Sequence, residues 1–189
     1  MLGALALAIQ DRTQDAVVAA SGQPVSAATA LSALDQFLGT PNVDALGRVL
    51  GVTHSGAVRV VDRLESAGLV SRGPGRDGRN RSIALTAAGH AAAARIAEAR
   101  LDVLRDAAKS IPADDLDSFK RLLDAALERV VRAKFAAGAA GTRWTCRLCD
   151  LTACDRAAGN CPAANTARSI MAQNDQTGSS GAPLRNERT

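Results

Sequence analysis

The stretch from Thr53 to Leu69, THSGAVRVVDRLESAGL, constrains this chain more than any other, because it divides at helical spacing into two faces. Ala57, Val58, Val61, Leu64 and Ala67 fall on one side, while His54, Ser55, Arg59 and Arg63 point elsewhere. A helix so divided has one face for a core and another for a charged partner. Thr53 is a natural N-cap, its hydroxyl able to accept from a backbone N–H freed at the helix start, and Gly68 marks the other end.

Immediately upstream, Asp44 to Leu50 reads as a short helix with Ala45, Leu46, Val49 and Leu50 apolar, broken by Gly51. Two short helices joined by a glycine turn make a helix-turn-helix unit, whose second helix enters the DNA major groove. Gly47 falls where the two helices would cross. A glycine inside a helix costs about 1 kcal/mol against alanine, so close packing has to compensate for it.

After Leu69 the period changes from helical to extended. Val70 and Arg72 begin one short strand, and Arg81, Ile83 and Leu85 alternate with Ser82 and Ala84 in a second. Between them GPGRDGRN is a turn by composition. A hairpin directly after such a helix is a wing, and this one places Arg76 and Arg79 at its tip with Arg81 nearer the base. Arginine on a narrow protrusion suits the negative potential of the minor groove. From Arg59 to Arg81 six arginines face three acids, Asp62, Glu65 and Asp77, which concentrates a net +3 within a chain whose formal charge is +4.

The flanks read as helices. Leu2 to about Ala20 is alanine-rich with a broad apolar surface. Ser26 to Phe37, with Ser26 as a cap, carries Leu31, Leu34 and Phe37, and Gly39, Thr40 and Pro41 punctuate the chain before the helix-turn-helix. Thr86 caps a helix from Ala87 to Lys109 with Ile96, Leu101, Leu104 and Ala108 inward. Pro112 stops it, and Asp114 and Asp115 open another with the stripe Leu116, Phe119, Leu123, Ala126 and Val130, continuing towards Phe135. Hydrophobic residues make up 47% of the chain but aromatics only 2%, so the core must be Ala, Val and Leu, a composition that favours helices. The fold class expected is mainly α with a small β-hairpin wing: a winged helix-turn-helix plus a helical dimerisation lobe. Two long apolar helices beside a small winged domain have more surface than one protomer covers, so a homodimer is expected, its two recognition helices about 34 Å apart on one face of DNA.

The residues LGVTHSGAVRVVDRLESAGLV, Leu50 to Val70, and GRDGRNRSIALTAAG, Gly75 to Gly89, resemble the MarR family of bacterial winged-helix regulators. The second stretch is similar to that family's wing, a D-x-R followed by an L-T-x-x-G helix start, here Asp77, Arg79, Leu85, Thr86 and Gly89. The similarity covers roughly residues 1 to 135. It implies a dimeric, DNA-binding transcriptional regulator, usually a repressor, with a small-molecule effector pocket between the DNA-binding and dimerisation lobes. Asn80 stands where the family often has a second arginine, which leaves the minor-groove contact to Arg79.

All four cysteines lie within sixteen residues, Cys146, Cys149, Cys154 and Cys161, and this module is where the chain departs from the resemblance. A C-x2-C pair can chelate one ion through a tight turn, and two more thiolates complete a tetrathiolate shell. Arg143, Arg147 and Arg156 would offset part of its charge. With Trp144, Leu148 and Leu151 as its few large apolar residues, the segment needs a staple. Zinc, an iron–sulfur cluster (the last cysteine precedes Pro162) and redox-active thiols are all compatible with this spacing.

The domain organisation expected is therefore a winged-helix domain over residues 1–137, with helix-turn-helix and wing at 43–86 and dimerisation helices at 1–22 and 87–135, then a four-cysteine metal-binding module at 143–164 and a disordered polar tail at 167–189. His54 and His90 lie on separate helices, and no nucleophile–base pair or phosphate loop is apparent, which argues against an enzyme. Met1 to Ile9 is apolar, but no basic residue precedes it and QDRTQD comes after it, so it reads as the first turns of a buried helix rather than a signal peptide. No run approaches the ~20 apolar residues of a membrane span. The chain reads as a cytoplasmic DNA-binding regulator without a membrane partner, with Ser55, Gly56 and Arg59 reading bases, His54 and Arg63 on phosphates and Arg76, Arg79 and Arg81 from the wing. The competing readings are a metal- or iron–sulfur-dependent redox protein and an interaction adaptor with a zinc knuckle.

Overall fold

The second helix of the chain is the pillar of the main core, and four of its twelve residues are alanine. A computed structural model describes residues 1–38, 41–74, 81–138, 144–151 and 153–178. Within them α1 spans Leu2–Ser21, α2 Val25–Gln36, α3 Val43–Leu50 and α4 His54–Ser66. The hairpin β1 (Val70–Pro74) and β2 (Arg81–Leu85) comes next, then α5 (Ala87–Ala108), a 3-10 turn (Ala113–Asp115), α6 (Leu116–Ala136) and α7 (Pro162–Gly178).

Every residue of α2 from Ala27 to Leu34 is buried. Small side chains there let α1, α3, α4, α5 and the hairpin all approach one axis. Leu31 and Leu34 meet Leu46 and Val49 of α3, Val61 and Leu64 of α4, Val70 and Ile83 of the hairpin and Ile96 of α5 in one core. Thr29 is buried at no cost in unpaired groups, since its hydroxyl donates to the Val25 carbonyl at 2.7 Å. The helix begins one residue earlier than its sequence suggests: Pro24 precedes its first turn and Ser26 lies inside it without capping. Proline fixes a helix entrance as well as a hydroxyl does, because its missing N–H would have gone unpaired there.

β1 and β2 pair antiparallel, with Val70 opposite Leu85 and Pro74 opposite Arg81. Ile83 points into the core, and its N–H donates to the Pro41 carbonyl at 2.9 Å, which ties the hairpin to the segment before α3. Thr86 caps α5 by accepting from the Gly89 N–H at 3.0 Å, and its own hydroxyl donates to the Gly68 carbonyl at 2.7 Å. The junction is tight: a Cβ on Gly89 would stand 2.0 Å from the Leu69 carbonyl oxygen, so only glycine fits.

Outside this centre the structure corrects the expected packing. On α5, Val103 is buried and Ala108 exposed, while Leu101 is half-buried, because α1 packs along the helix and is joined to it by an Arg12–Asp106 pair at 2.8 Å. On α6 the covered side is Val131 with Leu127 and Phe135, packed on α7, and the stripe Leu116, Phe119, Leu123 and Val130 is exposed in the single chain. The first turns of α1 are helical but not buried; Leu2, Leu5 and Leu7 face outward. The segment expected to be disordered from residue 167 is helical through Gly178, because Ala163, Ala164 and Thr166 are buried where α7 lies on α6. No single described helix is long and apolar enough to cross a membrane.

Candidate nucleic-acid interface and thiol cluster

α3 and α4 meet at a left-handed glycine. Gly51 closes α3 with φ 68°, and the Val52 N–H donates back to the Gly47 carbonyl at 3.1 Å. Asn42 caps α3, its Oδ1 accepting from the Ala45 N–H at 2.8 Å, and Thr53 caps α4, its Oγ1 accepting from the Gly56 N–H at 3.2 Å. Gly47 stands at the crossing, where a Cβ would touch the Ala57 Cβ at 3.4 Å. Two capped helices are thereby joined through a glycine turn and cross closely enough that a Cβ at Gly47 would be in van der Waals contact with Ala57.

The buried face of α4 is Ala57, Val61 and Leu64, with Val58 and Val60 half-buried; Ala67, placed on the apolar face by its spacing, is exposed at the C-cap. The outer face presents His54, Ser55, Arg59 and Arg63, all exposed. His54 Nδ1 lies 2.7 Å from Asp44 Oδ1, which links the first residue of α4 to the first turn of α3. Arg59 folds along its own helix, its Nε donating to the Ser55 carbonyl at 3.3 Å. Gly56 is half-buried, and a Cβ there would come to 3.3 Å from both Thr53 Oγ1 and Val52 Cβ, so the cap itself favours glycine at this position. Arg81 is exposed opposite Pro74, at the turn end of the paired strands rather than near the base. Arg76 and Arg79 lie outside the described residues.

The arginine-rich segment is less free than its formal charge suggests. Arg72 is largely covered and bridges Asp62 and Glu65 of α4, which clamps β1 to that helix. The hydrogen bond to Asp62 holds its guanidinium above the ordinary arginine value, against the opposing effect of burial. Asp62 and Glu65 thus neutralise Arg72 and leave the exposed Arg59 and Arg63 the charged residues of the outer face. His90, which reads as a plain surface residue, has Nδ1 2.9 Å from Asp35 Oδ1.

The cysteine segment is not a separate knob. Trp144 stacks on Phe37 with ring centroids 5.1 Å apart and planes 14° from parallel, and its backbone N–H donates to the Val49 carbonyl at 3.0 Å. Trp144 and Leu148 pack on the main core, and the Leu151 N–H donates to Gln36 Oε1 at 3.1 Å. The segment is therefore seated across the C-terminal end of α2 and the last turn of α3. Its three large apolar residues carry the signal: they are too few for a core of their own and enough for a docking face.

All four thiols are free of disulfides, and Cys161 is buried with Val131, Ala163 and Ala164. Cys146 is paired with Cys149, and the Cys154 thiol donates to the Leu151 carbonyl at 3.6 Å. The bond from Cys146 lowers the Cys149 thiol to about 6 against the effect of burial, with Arg100, Arg147 and Arg156 adding to the lowering. The same bond, with burial, pushes Cys146 far above the usual thiol range. Arg100, on α5, is a contributor that sequence spacing does not reveal; Arg143 lies outside the described residues. Four soft donors beside guanidinium groups are the donor set that a tetrathiolate centre would use. Their placement is not yet a ligand sphere: among the described residues no three His, Cys, Asp or Glu side chains converge as metal ligands do.

A cavity of about 240 Å³ lies between α2 and α5. Ser32, Asp35 and Gln36 of α2 form one wall and Ala93, Arg100 and Leu104 of α5 another. The third wall is the cysteine segment itself, through Leu148, Cys149 and Cys154.

Two capped helices crossing at a glycine, a hairpin after the second, and long helices on either side define a winged helix-turn-helix protein. Residues 21–80 match the model of the MarR family. The fold is shared with MarR from E. coli (22% identity, TM-score 0.54, covering 67% of this chain and 97% of that one). It is shared as well with RV1404 from Mycobacterium tuberculosis (24%, 0.58, 67% and 88%). CouR from Rhodococcus jostii RHA1, solved with p-coumaroyl-CoA, is a third such structure (22%, 0.52, 65% and 86%). No curated protein sequence matches the chain.

Proposed function

We propose that this chain is a sequence-specific DNA-binding transcriptional regulator that works in the cytoplasm as a homodimer and represses by occupying its duplex site. The observation that carries the reading is the outer face of α4, where His54, Ser55, Arg59 and Arg63 stand exposed on a helix whose other face is locked into the core. In this reading Ser55, Gly56 and Arg59 reach base edges, His54 and Arg63 meet phosphates, and Arg79 enters the adjacent minor groove with Arg76 and Arg81 beside it on the wing. Exposed Leu2, Leu5 and Leu7 of α1 and Leu116, Phe119, Leu122 and Leu123 of α6 supply an apolar surface for a second copy. A small-molecule effector is part of the proposal.

Binding to a random-sequence duplex, measured by fluorescence anisotropy from 50 to 300 mM salt alongside sedimentation of the free protein, tests it. A dimer whose log affinity falls linearly with log salt is expected, since lysine and arginine release counterions from phosphates. A monomer, or no binding at low salt, contradicts it.

For the thiol cluster we propose a metal centre, zinc by donor number with an iron–sulfur cluster as the alternative, held by Cys146, Cys149, Cys154 and Cys161. Such a centre would supply a fixed tetrahedral cross-link between the segment and α7. Elemental analysis of anaerobically prepared protein is expected to find one zinc per chain, reduced below a tenth by Cys149→Ser. Because Trp144 and Leu148 are anchored in the main core, that variant should keep its helical circular dichroism. Wild-type protein free of both metals would end the proposal.

A further inference from the structure

A second cavity, of about 370 Å³, lies where α3, α6, the cysteine segment and α7 meet. It falls within the ~300–1,000 Å³ typical of small-molecule sites. Phe135, Trp144 and Met171 line it with apolar surface. Around that surface stand Arg48 from α3, Lys134 from α6, Arg156 from the cysteine segment and Arg168 from α7, and among the described residues no aspartate or glutamate lines the cavity. Four cations from four separate elements thus converge on an apolar floor. Arg48 has no hydrogen bond or ion pair to another described residue through its side chain.

We propose that this cavity binds a small organic anion, a carboxylate carrying an aliphatic or aromatic body. The body lies against Phe135, Trp144 and Met171, and the carboxylate takes charge-assisted hydrogen bonds from Arg48 and Arg156, with Lys134 and Arg168 adding to the field. The site is distinct from the cavity between α2 and α5, whose walls include Asp35 and Asp150. It also touches the helix-turn-helix directly. Arg48 belongs to α3, and the neighbouring Val49 carbonyl holds the Trp144 N–H at 3.0 Å, so an occupant pulling on either residue acts on the helix that supports α4. That effector role rests on the DNA-binding reading; the binding itself does not.

Trp144 is the only tryptophan of the chain and lines this cavity, so its emission responds to an occupant. Full-length protein is titrated with octanoate, with octanol and with octyltrimethylammonium, without DNA. Octanoate is expected to shift the Trp144 emission saturably, with octanol at least tenfold weaker and the cation without effect. Arg48→Gln should weaken octanoate about tenfold and leave octanol unchanged, and Arg156→Gln should do the same; circular dichroism establishes that each variant is folded. Equal affinity for octanoate and octanol, or unchanged octanoate affinity in both folded variants, overturns the proposal. Octanoate that binds as expected but leaves duplex affinity unchanged removes only the effector role, whereas a protein that ignores DNA yet binds octanoate through Arg48 removes only the regulator reading.

Discussion

Gly89→Ala is expected to destabilise the chain by about 3 kcal/mol, at the upper end of overpacking costs, and to lower its thermal midpoint by roughly 8 °C. The methyl group would stand 2.0 Å from the Leu69 carbonyl oxygen, and 3.1 Å from both the Leu69 carbonyl carbon and Leu85 Cδ2. That carbonyl cannot retreat freely, because it accepts the Thr86 N–H at 3.1 Å at the start of the same helix. The first turn of α5 must then move away from the end of α4, and the hairpin between them moves with it. Gly3→Ala is the matched control, since nothing lies within 4 Å of a Cβ there and alanine is the better helix former. A midpoint for Gly89→Ala within 1 °C of the parent, read by the same calorimetric scan, would show that the close approach is not there.

Arg59→Ala carries the second large effect, on binding rather than stability. On the proposed interface Arg59 is the long cationic side chain nearest the start of α4, and a bidentate contact to a guanine is worth about 1–3 kcal/mol. A loss of about 10- to 100-fold is therefore expected at a selected duplex, with discrimination relaxed at a single base position and a shallower salt dependence. The folded midpoint should not change, because Arg59 is exposed and its hydrogen bond is to its own helix. Arg121→Ala on α6 is the control, far along the chain from the proposed interface and hydrogen-bonded to Ser118 within its helix. Anisotropy with labelled duplex reads both; unchanged affinity for Arg59→Ala would remove this residue from the interface.

Much of the winged helix was legible in sequence because its constraints are local. Thr53 and Thr86 each sit three residues before the N–H they cap, and Gly51 supplies the one left-handed position that the turn requires. Period two in Arg81–Leu85 separates cleanly from period 3.6 before it. The features that could not be read depend on contacts between segments distant in the chain. The face of α6 that is covered is chosen by α7, which a polar composition hid, and α7 is helical because its alanines find Val131 and Leu127 some thirty residues earlier. Likewise the net charge of the arginine-rich segment gave no sign that Arg72 is spent on Asp62 and Glu65.

The thiol cluster shows the same division. Its spacing groups the four thiols, but does not show that Trp144 would seek Phe37 and the Val49 carbonyl, 107 and 95 residues away in the chain. That seating turns an apparent appendage into a third wall of the cavity beside α5 and a wall of the cationic one beside α3.

Selection of duplexes from a random-sequence pool by the purified full-length protein tests the central reading most directly. The α4 face on a paired scaffold predicts enrichment of two related half-sites whose centres lie about 10 base pairs, one helical turn, apart. A pool that emerges from successive rounds with no enriched sequence would contradict it.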